Sequence, residues 1–460
     1  MRQSNDGMLG AMPVPRLVVT MSLPIMLSML ISAVYNLVDS VYVAQYSDEA
    51  FLALSYAYPI QMLLVAFCSG IGVGFSAIFS RRLGEGDQEQ AASAVCHGFF
   101  LYGLCWLLFL LFALTGAAPF LRLSTEDPSV ARQGAQYLLI CCGLSIGTCM
   151  QFLTERILQA MGRPAGFMIV QGSGAILNLI LDPIFIFVLD LGVAGAAAAT
   201  VIGQISGALI GFWLVYRLRR QLPIRLRGFR PRGEMLAEMG RVAAPAVVMQ
   251  SLSSFMSLGL NQLLTRWSDT AVFVLGVYFK IQSFVFMPIF GVNSGLIPIL
   301  SYNYGAKSAP RLSQAVRFGV QLALSAAAAG AVLLALAAGP LLRYCFHAGG
   351  AAAAMGVPAL RMAALSFPIA AVSIILSAAF QSLGHSGSSL LIALLRQILL
   401  LLPIAALFLW LVPDGVWLSF LIAETITCVA TLLLYRRTVR PLIAALAVPG
   451  PSSDSAPSSH

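Results

Sequence analysis

Residues 61–84 read QMLLVAFCSGIGVGFSAIFSRRLG, and 221 positions later residues 282–305 read QSFVFMPIFGVNSGLIPILSYNYG. Gln61, Gly70, Gly74, Ser80 and Gly84 fall on Gln282, Gly291, Gly295, Ser301 and Gly305. The same offset carries Pro24 onto Pro245 and Ser47-Asp48 onto Ser268-Asp269. Leu158-Gln159-Ala160-Met161-Gly162 and Phe380-Gln381-Ser382-Leu383-Gly384 stand 222 apart. Both copies are almost wholly apolar, so the chain is a duplicated bundle of membrane helices. Duplicated bundles with a cleft between their halves are what secondary transporters are made of, and transport is the working expectation.

Composition supports a bilayer. The 460 residues are 59% hydrophobic and 10% charged, whereas helices that face water need a polar stripe. Apolar runs of at least 18 residues predict twelve spans, at about 15–44, 50–80, 90–116, 129–160, 164–189, 192–219, 234–265, 270–302, 310–339, 353–383, 387–411 and 415–438. The expected fold class is therefore an all-α polytopic membrane protein, with six helices in each of two repeats. An even number of spans per repeat returns the chain to its starting side, so the repeats are parallel. The expected division is an N-terminal segment (1–14), a first lobe (15–220), an Arg-rich link (221–233), a second lobe (234–440) and a disordered tail (441–460), Pro/Ser-rich from Pro449. The start has no signal-peptide pattern, so the first run should stay as a span.

Charge on alternate links sets the orientation. One set holds Arg81-Arg82, Arg163, seven arginines from Arg217 to Arg232, Lys307 with Arg311, and Arg436, Arg437 and Arg440. The other holds Asp48-Glu49, Glu126-Asp127, Asp190, Asp269 and Asp414, relieved by Arg122, Arg266 and Arg343. The positive-inside rule puts the basic set and both termini in the cytoplasm of a cell inner (plasma) membrane protein. The net charge of +9 resides in these links, with no basic domain, so no nucleic-acid partner is expected. The eight cysteines lie mostly inside apolar runs without framework spacing and read as small buried residues.

Carboxylates at membrane depth are costly unless paired, protonated or facing water, and so each needs a reason. Asp39 stands near the outer end of the first span and Asp182 in the fifth. Asn178, four residues before Asp182, shares its helical face. Pro183 frees the carbonyl of Leu179. In the sixth span Thr200 and Gln204 form a second i, i+4 polar pair, inside a run of small residues that permits close helix approach. These hard oxygens suit Na⁺ at Asp39, Asn178, Asp182 and Thr200, or a proton shared between carboxylates. The opposing readings are that Asp39 is shallow enough to reach solvent and that Thr200 bonds back to its own helix.

The duplication supplies an internal control. Asp39 maps onto Leu260, and Asp182 onto Leu402, Pro403 or Ile404 at offsets of 220 to 222. Acids needed only to build a six-helix bundle should recur in both halves, so ion coupling is expected in the N-terminal lobe. Other polar residues within spans are Glu155, Lys280, Arg396 and Glu424; Lys280 either pairs with Glu424 or lines the cleft. Tyr35, Asn36, Gln61, Gln204, Gln282 and Asn293 are candidates for the cleft wall, with methionines, Phe286 and Phe290 as an adaptable apolar surface.

These residues resemble the multidrug and toxic compound extrusion (MATE) family, over about residues 15–440. The resemblance is carried by Asn36-Leu37-Val38-Asp39, Leu158-Gln159-Ala160-Met161-Gly162-Arg163-Pro164, Asn178 with Asp182-Pro183, and Phe286-Met287-Pro288 through Tyr302-Asn303-Tyr304-Gly305-Ala306. It implies a V-shaped pair of lobes that expels organic cations in exchange for Na⁺ or H⁺ by alternating access. It implies Asp39 as coupling carboxylate, Asn178 and Asp182 as its partners, Thr200 as a ligand and Pro24 as a bend-forming proline. The acidic site that some members carry in the second lobe has no clear match here. The rival function is a lipid or lipid-linked oligosaccharide flippase of the wider superfamily, which calls for several basic cleft residues to hold a pyrophosphate. An enzyme is not expected, since no metal-ligand spacing, nucleophile elbow or P-loop occurs. The expected state is a monomer with no cofactor beyond the coupling ion, handling small organic molecules.

Overall fold

The computed structural model describes residues 8–218, 229–346 and 349–447, and among them every regular element is a helix. Ten helices are long and apolar enough to cross a membrane, and two bent pairs complete twelve. In chain order they are α1 (Val14–Tyr46), α2 (Asp48–Glu85), α3 (Gln88–Thr115), α4 (Pro128–Gly143 with Ile146–Ala160), α5 (Pro164–Val188), α6 (Gly192–Arg217), α7 (Gly233–Thr265), α8 (Asp269–Gly305), α9 (Ala309–Tyr344), α10 (Gly350–Ala364 with Ser366–Ser382), α11 (Ser386–Leu411) and α12 (Pro413–Leu446). Short helices Met8–Ala11 and Val439–Ala447 flank them. The second is a correction: residues 441–447 are helical where the composition suggested disorder, and the remainder of that tail lies outside the described residues.

The repeat is visible in the local chemistry. α4 bends by 43° and α10 by 40°, at Leu144-Ser145 and Leu365-Ser366, 221 residues apart. At each break the serine hydroxyl donates to the carbonyl three residues back, Ser145 to Cys142 at 2.7 Å and Ser366 to Ala363 at 2.6 Å. Such bonds compete with the helix ladder and favour a kink. Both helices then end in the same cap, with Gly162 at φ 71° and Gly384 at φ 84°. The next amide reaches five residues back, Arg163 to Leu158 and His385 to Phe380, each at 2.8 Å. A left-handed φ is what glycine allows cheaply, which explains the repeated glycine of the two motifs.

The lobes meet through glycines that the duplication keeps. A Cβ on Gly70 would collide with Val247, and one on Gly291 with Met26; these partners are themselves 221 apart. Gly74 lies against Ala243 and Gly295 against Ser22, while Gly84 abuts the carbonyl of Tyr302 and Gly305 that of Arg81. The absent side chains let α2 touch α7 and α8, and let α8 touch α1, backbone to backbone. All these contacts lie in the half that carries the basic links. There Glu238 of α7 pairs with Arg82 at 2.8 Å and Arg81 at 3.7 Å, and the Arg81 guanidinium sits 4.9 Å over the Tyr304 ring. Toward the acidic end the same helix faces are exposed, at Leu30, Leu63, Leu258 and Phe284. The two lobes thus form a V, joined at the basic end and open at the other.

Of the link between the lobes, residues 221–228 lie outside the described residues. Its last part is tied to α3: the Arg232 amide donates to Nε2 of His97 at 2.8 Å, while Nδ1 of that ring faces the Ser93 carbonyl at 2.8 Å. Phe229 stacks edge-on against the same ring. The thiols of Cys68, Cys105 and Cys149 pack within 4.8 Å of one another in the first lobe, brought together by α2, α3 and α4.

Candidate functional site

The first lobe buries an acidic pocket between α1, α5 and α6. Asp182 is 0% exposed, Asn178 3%, Thr200 7% and Asp39 9%. The i, i+4 spacing on α5 brings Asn178 Nδ2 to 3.0 Å from Asp182 Oδ1, and the same amide reaches Thr200 Oγ1 at 3.4 Å. Thr200 stands at this position because α5 and α6 approach at glycines, Gly174 lying directly against Gly203. Asp39 of α1 lies within electrostatic reach of Asp182. Beside these groups a cavity of about 30 Å³ is lined by Tyr35, Gln151, Gln171, Gly174, Ala175, Asn178, Thr200 and Gln204. That is room enough for a water or a small ion, and Asn178 and Thr200, though neither Asp39 nor Asp182, line it.

The decisive feature is what these groups lack. Asp39 Oδ1, Asn178 Oδ1 and Asp182 Oδ2 are buried with no donor among the described residues. Three buried acceptor oxygens without a donor leave this part of the lobe short of positive charge. Together with the Thr200 hydroxyl they are a hard-oxygen set that fits Na⁺, and a proton on either carboxylate would also supply a donor.

The remaining sequence candidates separate. Tyr35 and Gln204 face the pocket, Gln204 accepting from Thr148. Gln61 accepts from the Tyr137 hydroxyl at 3.2 Å. In the second lobe Gln282 donates to Tyr278 at 2.8 Å and Asn293 to the Ile374 carbonyl at 2.6 Å. All five, expected on the cleft wall, are half-buried, and the last three each hold a partner within their own lobe, because a polar side chain on an apolar helix takes the nearest one. The Asn36 side chain lies outside the described residues. Glu424 pairs with Arg396, whose guanidinium lies 5.6 Å over the Phe286 ring, so Lys280 is not the partner of Glu424. Lys280 is exposed and forms no ion pair among the described residues. Pro24 sits within α1, and Pro183 stands where α5 loosens into a π-helical turn, Ile184–Val188.

Sequence reasoning missed a polar chain leaving the pocket. Gln151 lines the cavity and donates to Glu155 at 2.9 Å. The adjacent Arg156 donates to Gln159 at 3.0 Å, and Gln159 donates across the lobe boundary to the Ser294 carbonyl of α8 at 2.7 Å. The signal was Glu155-Arg156, two ionisable residues in one span. Only Glu155 was singled out. Gln171, which donates to Ser32 of α1, carried no signal of its own.

Comparison with known proteins agrees with this architecture. The MatE family model matches residues 24–184 and again 245–407, the two matches beginning 221 residues apart. The multidrug export protein MepA of Staphylococcus aureus (strain MRSA252) is 25% identical over 427 residues, covering 92% of this chain and 93% of its own length. The Staphylococcus saprophyticus protein of that name is 25% identical over 419 residues, covering 90% of this chain and 91% of its own. Among solved structures, a multidrug resistance MATE family transporter in an outward-facing conformation superposes with TM-score 0.90 at 24% identity, covering 96% of this chain and 99% of the other. Both halves of the fold, the repeated contacts and the family model agree: the chain belongs to the multidrug and toxic compound extrusion family of membrane transporters.

Proposed function

We propose that the protein is a secondary active efflux antiporter that exports amphipathic organic compounds, cationic ones included, in exchange for H⁺ or Na⁺. The observation that carries this reading is the trio of donor-less oxygens at Asp39, Asn178 and Asp182 inside the first lobe. Leu260 at the position of Asp39 in the second lobe supports coupling in the first. The names of the MepA relatives support export of many compounds.

By the positive-inside rule the joined, basic end faces the cytoplasm and the V opens outward in the plasma membrane. In that state Asp39 and Asp182 take up the external cation, which supplies the positive charge that the pocket lacks. Filling the pocket draws α1 and α5 together. Gln151, Glu155, Arg156 and Gln159 connect that movement to the Ser294 backbone at the lobe boundary. The glycine contacts then part at the basic end and the cleft reopens inward, so ion entry and cargo exit are two halves of one cycle.

The test is efflux of a fluorescent organic cation from proteoliposomes under separately imposed Na⁺ and pH gradients. Gradient-driven efflux that Asp39→Asn abolishes supports the reading. Efflux indifferent to both gradients refutes it. A flippase would need several cationic side chains converging in the cleft, and Lys280 is the basic residue that the exposed α8 face presents there.

A further inference from the structure

Lys280 lies in the middle of an apolar stretch of α8, exposed and without an ion pair among the described residues. Helical register decides what it faces. Gly291, eleven residues on, packs against Met26 of the opposite lobe, and eleven residues make about three full turns, so Lys280 points the same way. At its level that direction is the cleft, whose neighbouring wall is apolar at Leu30, Leu63, Leu258 and Phe284.

Depth can be read from the same contact. Lys280 is about 17 Å along α8 from Gly291, and Asp39 about 20 Å along α1 from Met26, at 1.5 Å per residue. They stand at one level on opposite lobes. Asp39, however, is turned about 220° from Met26 around α1, at 100° per residue, and is buried in its own lobe. It is no counter-ion for the amine. When the lobes close over the cleft, the ammonium leaves water against a wall that is apolar at Leu30 and Leu63, a costly state. A cargo that brings an anion removes the cost.

We propose that the cleft recognises amphiphiles carrying a carboxylate beside their apolar body, and that this carboxylate ion-pairs with Lys280. Compounds that also carry a positive charge, zwitterions, are then the best cargo. The proposal rests on the export reading and deepens it by naming the substrate class.

Equilibrium binding to the purified protein tests it, with a cationic xanthene dye bearing a free carboxylate and the ethyl ester of the same dye, read by fluorescence polarisation. The free acid should bind about tenfold more tightly than the ester, as a charge-assisted pair implies. The ratio should fall toward one in Lys280→Met and persist in Lys280→Arg. Asp39→Asn, which should stop transport, should keep the ratio, so a failure of the coupling reading leaves this result standing. Equal binding of acid and ester to the unmodified protein, or a ratio unchanged by Lys280→Met, overturns the proposal.

Discussion

Buried carboxylates with no cation beside them are strained electrostatically, and that gives the acid pair opposite effects on stability and on function. Asp39→Asn removes a buried charge while keeping the shape, so it should abolish export yet leave folding intact or raise stability by about 1–3 kcal/mol. Scanning fluorimetry beside efflux at equal expression checks both; a variant that transports normally contradicts the coupling role. Asp182 and Asn178 were legible in the sequence because i, i+4 spacing is a local property. The fate of Gln61, Gln282 and Asn293 was not, since their partners, Tyr137, Tyr278 and the Ile374 carbonyl, include residues distant in sequence. Lys280 could be recognised as an odd residue, but whether it met Glu424 or the cleft depended on Arg396 having the better approach.

Helices meet across the lobe boundary where the sequence has glycine, and each side of that boundary is a copy of the other. Gly84→Val should therefore hold the basic end apart, because the added side chain would meet the Tyr302 carbonyl. In a background lacking native cysteines, Ser22→Cys, buried at the Gly295 contact, should resist a water-soluble maleimide and become reactive when Gly84→Val is added. Glu238→Gln should act in the same direction but weakly, since a partly exposed pair contributes only about 0–1 kcal/mol. Labelling more strongly increased by Glu238→Gln than by Gly84→Val would show that ions, not backbone contact, hold the basic end. Span number and span ends were legible because apolar length is a composition signal. The duplicated bends of α4 and α10 escaped notice, since Leu-Ser within an apolar run signals nothing until the hydroxyl is seen to take a backbone carbonyl.

At the scale of the whole molecule the two lobes are parallel copies that differ in their polar interiors: two buried acids with no basic partner among the described residues in the first, and in the second one acid, Glu424, paired through one oxygen with Arg396. Rocking of the lobes predicts that cysteines at Asp48 and Asp269, on the acidic rim, crosslink only when the outer side closes, and that the crosslink stops transport. The architecture could be anticipated because repeat, spans and link charges are properties of the chain. The state of the V could not, since it depends on which half of each helix face meets its copy. The central claim, that ion coupling resides in the first lobe, is tested most directly by comparing Asp182→Asn with the double variant Arg396→Met/Glu424→Leu, which removes the second lobe's pair without leaving an unpaired charge. Gradient-driven efflux from proteoliposomes should vanish in Asp182→Asn and persist in the double variant; efflux retained by Asp182→Asn and lost in the double variant would contradict the account.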